Sequence, residues 1–133
     1  MIKNLTPHPV VVLRDDPEGA VAGFTGVGPA AREGRFSVVA EIAPTGQVAR
    51  ARQTDEVVGE LEIEGTQVPL IRTVFGETTD LPTPEEGVYL VVSILTAQAA
   101  KAAGRETRDL LITSDPVRDA QGKFVGVRKF ALI

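Results

Sequence analysis

The sequence has no cysteine and no tryptophan, and its 133 residues include only one histidine. Without cysteine there can be no disulfide framework, no thiolate zinc site and no cysteine nucleophile. No apolar run approaches the roughly eighteen residues of a membrane-spanning helix, and the first residues lack the apolar core of a secretory signal peptide. We therefore expect one cytoplasmic domain over residues 1–133, with no contact to a membrane.

An excess of positive charge is also missing, because the formal net charge is −4. Nucleic-acid-binding domains normally present a basic face, so we expect no nucleic-acid partner. The charge is uneven, however. Residues 61–104 carry two Lys or Arg against six Asp or Glu, whereas residues 105–133 carry six against four. The C-terminal region is therefore where a local anion site could lie.

Most of the chain carries β-strand patterns. Short apolar or alternating runs predict strands at residues 10–13, 36–42, 48–52, 88–92, 110–112 and 123–132. The clearest hairpin joins residues 57–63 to 67–75, where apolar residues alternate on both sides of Glu64-Gly65. Pro69 lacks a ladder donor, which predicts an edge strand or a bulge. Residues 14–34 are rich in turn-forming residues and predict a long loop.

Residues 93–103 predict one helix, which Ser93 caps and Gly104 ends. Its many alanines predict close packing against a sheet. The expected fold class is α+β, a small antiparallel sheet or partial barrel with this helix packed on it.

The last thirty residues contain four arginines and two Arg-Asp pairs. The arginines are Arg105, Arg108, Arg118 and Arg128. Because a guanidinium can hold phosphate or carboxylate bidentately, we predict Arg108 and Arg118 as the main anion contacts, with the other two as weaker candidates. Asp109 and Asp119 would orient them, and residues 119–122 predict a type I turn. The alternative left open is that each pair neutralises itself, since adjacent strand residues face opposite sides.

Phe24 is the one aromatic residue within the predicted loop. A loop aromatic can stack on a ligand base or anchor a neighbouring subunit, so Phe24 joins the predicted ligand contacts. The alternative is ordinary loop packing.

His8 and Ser93 are the residues on which a hydrolase would depend. No Gly-x-Ser-x-Gly motif surrounds Ser93, and helix capping explains it better. The adjacent acidic pairs Asp15-Asp16 and Glu85-Glu86 lack the alternating ligand pattern of a calcium loop. We therefore predict no catalytic residue, no metal and no cofactor.

Two motifs resemble small proteins encoded by phages and prophages. They are Asn4-Leu5-Thr6-Pro7-His8 and Arg118-Asp119-x-x-Gly122-x-x-Val125-Gly126, with Val91-Val92-Ser93 and Arg108-Asp109-Leu110 between them. Phage proteins of this size include the Thoeris anti-defence sponges, which sequester nucleotide immune signals. That resemblance implies arginines that grip phosphates and a loop aromatic that stacks on a base. No individual site residue is carried over from that family.

The sequence thus predicts a non-enzymatic protein of the bacterial host's cytoplasm that sequesters a small anionic, nucleotide-like ligand as a homo-oligomer. One alternative is a phage capsid decoration or assembly protein whose Arg-Asp pairs fix an interface. A second alternative is a hydrolase that uses Ser93 and His8.

Overall fold

The computed structural model describes residues 1–133 and shows a mostly-β protein with one short α-helix. The elements in chain order are β1 (Ile2–Asn4), β2 (Val10–Asp15), β3 (Val21–Thr25), a 3-10 turn (Gly28–Ala30), β4 (Arg32–Ile42), β5 (Arg50–Ile63), β6 (Thr66–Thr79), β7 (Tyr89–Val91), α1 (Ile94–Ala102), β8 (Leu110–Arg118) and β9 (Phe124–Ala131). None of its helices combines the length and the apolar character that a membrane span needs.

Seven strands form one sheet in the order β1-β7-β8-β3-β4-β2-β9, and a further pairing of β8 with β9 bends this sheet into a ring. The ring is joined thinly at two places. Phe24 and Arg118 are the one residue pair between β3 and β8, and Val12 and Val127 are the one pair between β2 and β9. The ring is therefore not a true barrel, in which every neighbouring pair of strands is laddered.

The predicted antiparallel sheet is corrected to a mixed sheet. β1 runs parallel to β7, and β7 runs parallel to β8. For β7 and β8 the reason is that α1 forms the crossover between them, and a crossover returns the chain to the same end of the sheet. The helix itself is confirmed: Ser93 caps α1, and Gly104 has the positive φ of 84° that suits a residue just beyond a helix.

The prediction of a loop over residues 14–34 is wrong, because β3 lies within that segment and pairs with the first half of β4. The glycine content was misleading. A Cβ on Gly23 would lie 2.5 Å from Cγ1 of Val117, so glycine here permits close approach of β3 to β8 rather than a flexible loop. Phe24 consequently lies on a strand.

The predicted packing of helix alanines against the sheet is confirmed. Ala97 and Ala100 of α1 are fully buried with Leu90, Val92 and Leu110. A second cluster, formed by Leu13, Phe36 and Val117, lies where β2, β4 and β8 meet. The first cluster packs the helix on the sheet, and the second packs strands of the ring against one another.

β5 and β6 form a separate two-stranded hairpin, which we call the arm. Each strand has 14 residues, so the arm is about 46 Å long at roughly 3.3 Å per residue. Glu64 and Gly65 both have positive φ, as a two-residue hairpin turn requires. The predicted hairpin is thus confirmed and is longer than expected. Pro69 lies in an edge strand, as predicted, because both strands of a hairpin are edges.

Candidate functional site

Arg118, the last residue of β8, lies between two phenylalanines on the neighbouring strands. Phe24 of β3 is directly opposite on one side, and Phe124 of β9 is directly opposite on the other. Directly opposite residues project from the same face of a sheet, and a bulge between Val117 and Arg118 shifts the register so that Phe124 becomes the partner of Arg118. All three are exposed, Phe24 by 36% and Phe124 by 48%. We call these three residues the aromatic–arginine row.

The guanidinium of Arg118 is in no ion pair. Its one hydrogen bond is donated by Nη1 to the carbonyl oxygen of Gly122, at 3.2 Å. Arginine has five N–H donors, so most of this donor capacity faces solvent. Arg118 is therefore a cation that remains able to bind an incoming anion.

Asp119 does not contact the neighbouring Arg118 side chain, because its carboxylate is engaged in the local turn. Oδ1 of Asp119 accepts hydrogen bonds from the amides of Gln121 (3.0 Å) and Lys123 (2.8 Å). The amide of Gly122 donates to the carbonyl of Asp119, at 3.0 Å, which confirms the predicted turn. The Asp119 carboxylate thus holds the β8–β9 turn rather than contacting the Arg118 guanidinium.

Arg105 is engaged inside the protein. Its guanidinium donates to both carboxylate oxygens of Asp109, at 2.8 and 3.0 Å, and to the carbonyls of Glu106 and Pro82. The side chains of Arg105 and Asp109 are only 15% and 12% exposed. The bidentate pair closes the segment between α1 and β8, and the bond to the Pro82 carbonyl fastens that segment to the one before β7. Asp109 therefore orients Arg105 rather than Arg108.

Arg128 is engaged in the same way on the ring. Its guanidinium donates to Asp15 at 2.7 Å and to Asp115 at 2.9 Å, and it lies 6.0 Å from the ring centroid of Phe36. β9 is thereby tied to β2 and to the middle of β8. Both of the arginines predicted as weaker ligand contacts therefore have their guanidinium groups occupied by carboxylates.

Arg108 is exposed but lies in acidic surroundings. Its Nε is 3.2 Å from Glu106, and the cavity beside it, of about 320 Å³, is also lined by Glu85, Glu86 and Asp109. These carboxylates repel an anionic ligand. Arg108 also precedes β8, whereas Arg118 ends it, so the structure does not bring together the two arginines predicted to converge.

The largest cavity, about 420 Å³, adjoins the aromatic–arginine row through Phe124. His8, Pro9, Ser93 and Thr113 line it together with apolar residues. A cleft of this size and mixed lining suits a small molecule. We call it the Phe124 cleft.

Asn4 explains the shape of one wall of this cleft. It is fully buried, and its Nδ2 donates to the carbonyls of His8 (2.8 Å) and Ile42 (2.9 Å). Its Oδ1 accepts from the amide of Thr6 at 3.0 Å and from the hydroxyl of Thr6 at 2.6 Å. The Asn-x-Thr-x-His motif is therefore a hydrogen-bonded loop that places His8 at the cleft.

Ser93 and His8 line the same cleft without being connected by a hydrogen bond. The hydroxyl of Ser93 donates to Oγ1 of Thr96 at 3.0 Å and accepts from the amide of Thr96 at 3.2 Å, which confirms its predicted capping role. The imidazole of His8 takes part in no side-chain hydrogen bond or ion pair. A general base normally requires an orienting partner, and none contacts this imidazole.

Two carboxyl groups have lowered pKa values, and both belong to turns away from the row. The pKa of Asp16 is lowered by hydrogen bonds from the Ser37 hydroxyl and from the Glu18 amide. The pKa of Glu106 is lowered chiefly by a hydrogen bond from the Arg108 amide. Both groups stabilise local backbone geometry in their charged form.

Sequence reasoning missed Phe124 as a site residue, although a signal was present. A hairpin around the 119–122 turn places a residue just after the turn beside Arg118, and Phe124 is the nearest aromatic. Comparison with known protein families, with curated proteins and with solved structures gives no match. The proposed function therefore rests on the geometry of the aromatic–arginine row and the Phe124 cleft.

Proposed function

We propose that the protein binds a small anionic, nucleotide-like ligand without transforming it, at the aromatic–arginine row and the adjoining Phe124 cleft. The observation that carries the proposal is the state of Arg118. Of the four arginines in the C-terminal cluster, Arg118 alone is free of a carboxylate partner, and it is flanked by two exposed aromatic rings.

The two residue types in the row recognise the two halves of a nucleotide. A guanidinium donates charge-assisted hydrogen bonds to phosphate oxygens. A phenylalanine ring stacks on the face of a base, and the contribution is about 1–3 kcal/mol per base. With one ring on each side of Arg118, a phosphate can lie on the guanidinium while the base stacks on Phe24 or enters the cleft beside Phe124.

The absence of an assembled acid–base pair around Ser93 and His8 favours binding over turnover in this proposal. The motifs that resemble small phage proteins, a group that includes nucleotide-sequestering sponges, are the reason for proposing a nucleotide rather than another anion and the cytoplasm of a bacterial host as the place of action. Arg108 stays in the proposal as a second, independent anion contact, weakened by the carboxylates around it.

Isothermal titration calorimetry with a panel of adenine and guanine mononucleotides and cyclic dinucleotides tests this proposal. We expect Arg118→Ala to weaken binding about 10- to 100-fold, which corresponds to a charge-assisted hydrogen bond of roughly 1.5–3 kcal/mol. Arg108→Ala alters the second, weaker contact and should reduce the affinity less than Arg118→Ala does. Equal affinity of wild type and Arg118→Ala would remove the central residue from the proposal.

A second candidate function is assembly into a larger structure, such as a phage particle. The long exposed arm favours it, because such a hairpin can lie across a neighbouring subunit. Electron microscopy of the concentrated protein separates the candidates: extended lattices or tubes without ligand support assembly, and discrete particles support the binding protein.

A further inference from the structure

The distal half of the arm is amphipathic, although no part of the same protomer covers it. Leu61 and Val68 are directly opposite, and Leu70 and Ile63 continue the same face on either side. The other face carries Glu60 and Glu62 opposite Pro69 and Gln67. Alternation of this kind is the pattern of a strand with one buried face, yet every one of these residues is exposed.

The apolar exposure extends along the arm beyond that face. Eight large aliphatic side chains of the arm are between 37% and 64% exposed. They are Val57, Val58, Leu61, Ile63, Val68, Leu70, Ile71 and Val74. Val57 and Ile71 are paired on the face opposite to Leu61 and Val68, so both faces of the arm expose apolar side chains. Because large exposed apolar surfaces mark interaction sites, the arm is a surface that a partner would cover.

The total surface area supports a partner with a large interface. The accessible surface of the protomer is 8887 Å², whereas a compact monomer of 14.1 kDa has about 6,700 Å². The surplus of about 2,200 Å² exceeds the roughly 800 Å² that each partner buries in a standard interface. Burial of this surplus between subunits would give each protomer the surface of an ordinary globular protein.

Charge indicates what the arm contacts. Residues 55–71 contain five acidic residues and no basic one, so two distal arms lying side by side would repel each other. The rest of the protomer is nearly neutral, because residues 1–49 and 80–133 contain eleven Lys or Arg and twelve Asp or Glu. The body of another copy therefore repels the distal arm far less than a second distal arm would.

We propose that the arm packs against the body of a second copy of this chain, so that its eight exposed aliphatic residues are covered in a homo-oligomer. This inference does not depend on the ligand proposed above. A reciprocal exchange of arms between two protomers is the simplest closed arrangement, because each copy then supplies one arm and receives one.

Analytical ultracentrifugation of the full chain tests this contact between copies with two double variants. Leu61→Ser/Val68→Ser alters one directly opposite pair on the apolar face. Glu62→Ser/Gln67→Ser introduces the same two serines at the next opposite pair, on the polar face, and is the matched control. We expect the first variant to raise the dissociation constant of the oligomer at least tenfold and the control to change it less than threefold.

The chain has no cysteine, so a single Gln67→Cys substitution allows a photo-crosslinker to be attached at one site on the arm. Mixed oligomers of unlabelled and isotope-labelled copies would then show which segments meet. We expect crosslinks from residue 67 of one copy to residues outside 50–79 of another. A wild-type monomer at tens of micromolar, an oligomer unaffected by the apolar variant, or crosslinks confined to the two arms would each overturn the proposal.

Discussion

Phe24 lies directly opposite Arg118 in the one residue pair that joins β3 to β8. The same contact that closes the ring therefore also assembles half of the proposed binding surface. A change that separates β3 from β8 is expected to lower the stability of the ring and to disperse the aromatic–arginine row together. This coupling ties the predictions about stability to the prediction about binding.

Gly23→Ala tests the close approach of these strands. The added Cβ would meet Cγ1 of Val117 at 2.5 Å, and an overpacked core site costs about 1–3 kcal/mol of unfolding free energy. Gly59→Ala is the control, because its nearest neighbour would be 4.0 Å away in the arm. Urea denaturation of both variants measures the two unfolding free energies. Equal values would show that β3 and β8 are not closely packed at Gly23.

Arg128→Met tests the clamp between β9, β2 and β8. Loss of the guanidinium leaves Asp115, which is 23% exposed, without its closest cation, and we expect a loss of about 2–3 kcal/mol. Arg108→Met removes a pair with an 85% exposed arginine, and such pairs contribute roughly 0–1 kcal/mol. Thermal unfolding at low salt should therefore give Arg128→Met a clearly lower melting temperature than Arg108→Met. The reverse order would contradict the stabilising role of the Arg128 ion pairs.

Asn4→Ala tests the loop that shapes the Phe124 cleft. The variant loses four hydrogen bonds, including those that Nδ2 donates to the carbonyls of His8 and Ile42, while the Thr6 hydroxyl still donates to the His8 carbonyl. We expect a loss of about 3 kcal/mol or more in unfolding free energy. Thr6→Val keeps the shape of the side chain and removes only the hydroxyl, so about 1 kcal/mol is expected. If denaturant unfolding shows that Asn4→Ala lowers the unfolding free energy no more than Thr6→Val does, Asn4 does not organise this loop.

The lowered pKa of Asp16 predicts a pH dependence of the turn after β2. Because the pKa is lower in the folded protein, the charged carboxylate contributes stability above its ordinary pKa, and that contribution is lost as the pH falls through the folded value. NMR titration of the side-chain carboxyl carbon should give a midpoint below that of an unfolded aspartate. Ser37→Ala removes the largest cause of the shift and should raise the midpoint; an unmoved midpoint would assign the shift elsewhere.

Local sequence signals predicted the helix and the arm because each depends on near neighbours. Ser93 and Gly104 mark the ends of α1, and Glu64-Gly65 marks the turn of the arm. The parallel pairing of β1 with β7 was not predictable in the same way. It joins three-residue strands that lie more than eighty residues apart in the chain, and so short a strand has no periodicity to read.

The arginine partners show a second limit of local reasoning. Sequence adjacency suggested Arg108 with Asp109, but Asp109 binds Arg105, four residues before it. Arg128 binds Asp15, from the opposite end of the chain. Distant pairings of this kind depend on the assembled ring, whereas the exposed position of Arg118 at a strand end followed from the 119–122 turn alone.

Native mass spectrometry of the protein purified from bacteria, compared between wild type and Arg118→Gln, tests whether Arg118 holds the phosphate of a nucleotide. We predict that wild type carries a phosphate-containing mass, retained or acquired from a nucleotide extract, and that Arg118→Gln loses it while circular dichroism shows the same fold. A wild-type protein that carries no such mass, even after exposure to the extract, or a variant that carries it equally, would contradict the proposed role of Arg118.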